Sequence, residues 1–70
     1  MIVCHLSTLM GARRMTQSQL AALTGIHRDT IRRLYYDEWA SVRRETLDRL
    51  CTALQVPVGE LLQWRPDEPS

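Results

Sequence analysis

Four charged side chains crowd one short stretch, Arg28, Asp29, Arg32 and Arg33, and their chemistry suits a polyanion. A guanidinium is planar and donates two parallel hydrogen bonds to a phosphate, or to O6 and N7 of guanine, and a carboxylate accepts from N4 of cytosine. If residues 27–35 are helical, at 100° per residue, Ile31 and Leu34 fall on one side and the four charges on the other. The same residues also admit a plainer meaning: a solvated surface in which Asp29 pairs with Arg32 or Arg33 one turn away.

The overall charge does not separate these meanings. Nine cations against eight acids leave a formal charge of +1, too little to indicate nucleic acid. Its distribution is more informative. Residues 1–44 hold seven arginines against Asp29, Asp37 and Glu38, a balance of +4, whereas residues 45–70 hold two arginines against five acids, a balance of −3. Every cation is arginine and none is lysine.

Other chemistries lack their components. The sequence shows no nucleophile beside a base, no pair of carboxylates in an apolar setting, no glycine-rich phosphate loop and no His/Cys cluster at metal-ligand spacing, so neither an enzyme nor a cofactor is expected. No small-molecule ligand is evident. Cys4 and Cys51 stand alone in apolar contexts and read as reduced core thiols; His5 on the first helix has no acidic or cysteine partner to suggest catalysis. The apolar first ten residues have no basic leader and fall short of the roughly 20 needed to span a bilayer, so a cytoplasmic protein without a membrane partner is expected.

The elements that must position the charges follow from apolar spacing. Seventy residues, 44% of them hydrophobic, suit one domain with a small core. Three- and four-residue spacing with intervening turn signals predicts five short helices, a compact all-α five-helix bundle over residues 1–64, and a frayed tail over 65–70. The first helix is expected over about residues 2–13, with Ile2, Leu6, Leu9 and Met10 inward. Thr16 followed by Gln19 has the form of a capping box and opens the second. Gly25 supplies the positive φ of a tight turn before the third, at about 27–35. A loop from Tyr36 to Val42 leads to a fourth helix striped by Leu47, Leu50, Cys51 and Leu54. Pro57 suits the first turn of a fifth helix that buries Val58, Leu61 and Leu62. Trp39 is expected to pack on the core.

Residues 16–35, TQSQLAALTGIHRDTIRRLY, are two short helices around a glycine, with the small Ala21 where the helices cross. With Thr16-Gln17, Leu20-Ala21, Gly25-Ile26, Ile31, Leu34, the Leu47–Leu54 stripe and Leu61-Leu62, the chain resembles the Cro and cI class of phage repressors, within the wider xenobiotic-response-element type of bacterial regulators. The likeness runs from residue 2 to about 64. It implies a sequence-specific DNA-binding transcriptional regulator whose third helix enters the major groove of double-stranded DNA while the second crosses the backbone. Arg28, Asp29 and Arg33 then become base contacts. Gln17 matches the position that bonds a phosphate at the start of the second helix. Arg43 and Arg44 become phosphate contacts before the fourth helix, and His27, Thr30 and Arg32 flank the bases. Arg13 and Arg14 are weaker flanking candidates.

Relatives of this class often dimerise through the last helix, which here places Leu61, Leu62 and Trp64 at a two-fold interface. The chain departs from the pattern in three places. Met10 and Tyr35 stand where an Arg–Glu pair is common, an Asn-Gly turn after the third helix is missing, and Gln55 occupies a helix-ending position usual for glycine, at a cost of about 1 kcal/mol if it is left-handed. The competing function is a protein-interaction module on the same scaffold, antitoxin-like or an anti-regulator. Such a module would be expected to show apolar residues where this chain has arginines.

Overall fold

Ile2, Val3 and Cys4 form a short strand, β1 (Ile2–Cys4), instead of the first turn of a helix. Two successive β-branched residues favour extended backbone, and a partner waits at the far end of the chain. That partner is β2 (Leu62–Trp64), antiparallel to β1 with Ile2 opposite Trp64, Val3 opposite Gln63 and Cys4 opposite Leu62. The His5 N–H donates to the Leu61 carbonyl at 2.8 Å and the Arg65 N–H to the Met1 carbonyl at 2.9 Å, so pairing continues past both strand ends. The structure is a computed structural model and describes residues 1–67.

Between the strands lie α1 (Leu6–Ala12), α2 (Gln17–Thr24), α3 (Arg28–Tyr35), α4 (Arg44–Leu54) and α5 (Val58–Leu61). The five expected helices are present, but the strictly all-α bundle is corrected to a mostly helical domain tied off by a two-stranded sheet. α1 starts at Leu6 and not at residue 2. α5 ends at Leu61, so Leu62 and Trp64 belong to a strand and not to the last helix. Among the described residues no helix is long and apolar enough to cross a membrane.

Helix ends follow local chemistry. The Thr16 hydroxyl accepts from the Gln19 N–H at 3.1 Å and the Gln19 side chain accepts from the Thr16 N–H at 2.8 Å, a complete capping box. α2 ends on Gly25 at φ +73°. The other long turns use no glycine: Arg14, Asp37 and Gln55 adopt φ of 51°, 58° and 55° after α1, α3 and α4. At each the following N–H reaches back five residues, Met15 to Met10, Glu38 to Arg33 and Val56 to Cys51, at 3.0, 2.8 and 3.1 Å. Gln55, at the helix-ending position where the resemblance has glycine, is left-handed, so the cost of about 1 kcal/mol or more applies, and Asp37 tolerates that region better.

Leu6, Met10, Leu20, Ile31, Leu34, Leu50, Leu54 and Leu61 are fully buried, and Cys4 and Ile26 complete the core. Leu9, Leu47, Cys51, Trp39 and Tyr35 pack against it from partly exposed positions, so Met10 and Tyr35 both have apolar surroundings and Trp39 packs as expected. Ile2 and Val58, expected inward, are instead half exposed. Ile2 sits opposite the exposed Trp64 on the sheet, and a one-turn helix points only one side chain, Leu61, at the core. Burial pushes both free thiols, Cys4 and Cys51, above their ordinary range.

Arg13 is drawn into the framework: its guanidinium donates to the Leu54 carbonyl at 2.8 Å and to Leu9 at 3.1 Å, placing a cation at the negative end of α4. Of the tail expected over 65–70, Arg65 exchanges backbone hydrogen bonds with Met1, while residues 68–70 lie outside the described residues.

Candidate nucleic-acid interface

α3 is built to hold its charges outward. The chain turns on Gly25, Ile26 anchors the turn in the core, and His27 caps the helix by accepting the Asp29 N–H on Nδ1 at 3.1 Å. Asp29 then lies in the first turn near the positive end of the helix dipole and Arg32 and Arg33 in the last turn near the negative end. Ile31 and Leu34 are buried, and Arg28, Arg32 and Arg33 are exposed with Asp29 half-buried beside them.

Both meanings of this face coexist. Asp29 Oδ1 accepts from Arg32 Nη2 at 3.0 Å and its Oδ2 pairs with Arg33 Nε at 3.1 Å. The hydrogen bond from Arg32, with the charge of Arg33, holds the Asp29 carboxyl below the ordinary aspartate range. These pairs remain open to water, so they organise the arginines without removing them from the surface. Arg28 differs: among the described residues it has no ion-pair partner.

Three adjoining clefts show which expected residues come together. Gln17, at the start of α2, shares a shallow cleft with Arg28, Asp29 and Arg32. Asp29, Thr30 and Arg33 line a second with Trp39 and Ser41. His27 and Thr30 line a third, of about 490 Å³, with Ser41, Arg43 and Thr46 where the starts of α3 and α4 converge. Asp29 and Thr30 each belong to two clefts, so one surface runs from the start of α2 across α3 to the start of α4. Arg44 is exposed on the first turn of α4 but lines none of these clefts. Ser41 and Thr46 were not anticipated, because a loop serine and a helix threonine carry no local signal of where tertiary packing sets them.

A capped helix, a glycine turn and a helix with three exposed arginines thus follow one another along the chain. The family described as the Cro/C1-type HTH DNA-binding domain matches residues 5–67. The chain belongs to that family. It is also 27% identical over 67 residues, 96% of this chain and 80% of the other, to a protein of Bacillus subtilis (strain 168) named as the uncharacterized HTH-type transcriptional regulator YozG. Within this Cro/C1-type domain α2, the Gly25 turn and α3 are the helix-turn-helix unit, and the matched span begins at His5, just after β1.

Proposed function

We propose that this Cro/C1-type domain is a sequence-specific transcriptional regulator that lays α3 in the major groove of duplex DNA. The observation that carries the reading is Arg28: exposed on the first turn of α3, without an ion-pair partner among the described residues, and beside Gln17 at the start of α2. Its guanidinium reads guanine, a contact worth roughly 1 to 3 kcal/mol of discrimination. Arg33 and Asp29 read neighbouring base edges. Their mutual pair is exposed and screened, hence weak, and contacts made inside a dehydrated groove replace it.

Gln17 bonds a phosphate together with the free N–H groups of the α2 start, and Arg43, with Arg44, meets the backbone of the other strand. His27, Thr30 and Arg32 flank the bases. As a regulator acting on DNA the protein works in the cytoplasm, as a repressor where its operator overlaps a promoter.

The operator is taken by two copies, with recognition helices about 34 Å apart and a roughly palindromic site. The buried Leu61 is unsuited to the interface expected on the last helix; the exposed Trp64 on β2, opposite the half-exposed Ile2, takes that place beside Leu62.

Selection from a random duplex pool, with molecular mass in solution measured in parallel, tests the reading. A G·C-containing two-fold motif bound by a dimer is expected. Equal affinity for all duplexes at low ionic strength would sink it.

A further inference from the structure

Asp37 joins two parts of the fold that the helix-turn-helix unit does not connect. It is the left-handed residue that terminates α3, its own N–H donating to the Leu34 carbonyl at 3.2 Å. One carboxylate oxygen, Oδ1, accepts two further N–H groups: the Trp39 indole at 2.8 Å and the backbone of Cys4, 33 positions away, at 3.2 Å. The Cys4 N–H is available because strand alternation turns Met1 and His5 toward the β2 side and Cys4 away from it.

The clasp sits at the root of the loop that completes the DNA-facing surface. Trp39 lines the cleft beside Asp29, Thr30 and Arg33 together with Ser41, and Arg43 follows two residues later. Residues 37–43 form no helix or strand, so anchored side chains, and not a backbone ladder, hold them. A loop that must be ordered on binding loses affinity to the entropy of ordering it; one already held in place does not.

We propose that Asp37 is a positioning residue for DNA binding: its carboxylate pins the α3–α4 loop to β1, so that Ser41 and Arg43 meet the duplex backbone in the register set by α3. The inference rests on the DNA-binding reading. A negative charge at this place opposes a polyanion, so its value lies in the two hydrogen bonds it accepts and not in its charge.

Two substitutions separate those properties in the full chain. Asp37→Gly suits the left-handed backbone and deletes both hydrogen bonds; Asp37→Asn keeps an oxygen acceptor and tolerates the same φ while removing the charge. In the free protein, exchange of the Trp39 indole and Cys4 amide protons is expected to quicken in Asp37→Gly and to stay slow in Asp37→Asn. Against the duplex selected by the wild type, Asp37→Gly is expected to bind about tenfold more weakly with a salt dependence shallower by about one phosphate, and Asp37→Asn within about twofold of wild type or tighter.

Trp39→Phe, which removes one donor and keeps the ring, is the companion variant if Asp37→Gly melts too early, and a smaller loss in the same direction is expected. Wild-type affinity in Asp37→Gly, or an equal loss in Asp37→Asn, overturns the positioning role alone. A wild type that binds no duplex overturns the DNA-binding reading with it.

Discussion

α3 and α4 share a plan, and the charge balance of their outer faces is where they part. Each buries two side chains about a turn apart, Ile31 and Leu34 in α3 and Leu50 and Leu54 in α4. Each has an acid in its first turn paired with the arginine four residues on, Asp29 with Arg33 at 3.1 Å and Glu45 with Arg49 at 2.6 Å. On α4 the account closes, with Arg44 and Arg49 against Glu45 and Asp48. On α3 three arginines face one acid, and among the described residues Arg28 is left over. Local surplus, and not the total number of arginines, distinguishes a face suited to a polyanion from a solvated one, which is why a net charge of +1 is uninformative here.

Removing the shared part of the comparison should have the largest effect. Leu34→Ala and Leu50→Ala are each expected to cost about 2 to 5 kcal/mol in urea unfolding, most of the stability of a domain this small. If one proves nearly neutral, the two helices are not equal partners in the core.

The next effect is specific to α3. Arg28→Ala is expected to lose about 1 to 3 kcal/mol of discrimination at one base pair with an unchanged melting temperature, whereas Arg49→Ala should leave duplex preference intact. Competition binding against single-base variants of the selected duplex measures it. Arg43→Ala, at the start of α4, is expected to weaken all duplexes alike and to reduce the slope of log affinity against log salt by about 0.9. Base-specific loss from Arg43→Ala would blur the boundary between the two helices.

Smaller still is the difference in how helices end. Gln55→Gly, which relieves the left-handed residue after α4, is expected to stabilise by up to about 1 kcal/mol, and Gly25→Ala before α3 to destabilise by a similar amount, both read from thermal unfolding. The smallest effect concerns Asp29. Its folded pKa is depressed, so its contribution to stability is complete above the unfolded aspartate value of about 3.9 and is lost as pH falls through the lower folded value. A carboxyl titration by NMR checks the sign; a midpoint at or above the unfolded value would mean that Arg32 and Arg33 do not hold it in solution.

What could be read from residue order alone was whatever depends on neighbours within about four positions. The capping box of Thr16 and Gln19, the turn at Gly25, the Leu50 and Leu54 stripe, and the opposition of Ile31 and Leu34 to Arg28, Asp29, Arg32 and Arg33 are all local, and all are present in the structure. The fold class was legible only in its helical part, and the candidate site only along α3, with Gln17, Arg43 and Arg44 coming from resemblance. Tertiary structure decided the rest: Cys4 meets Asp37 across 33 positions, Arg13 meets Leu54 across 41, and His5 meets Gln63 across 58. Such contacts form because packing of the core brings distant segments together, and no periodicity in the chain encodes them. Hence residues 2–4 look helical by their spacing yet become a strand, and Ser41 and Trp39 join the arginine surface only once α4 has docked.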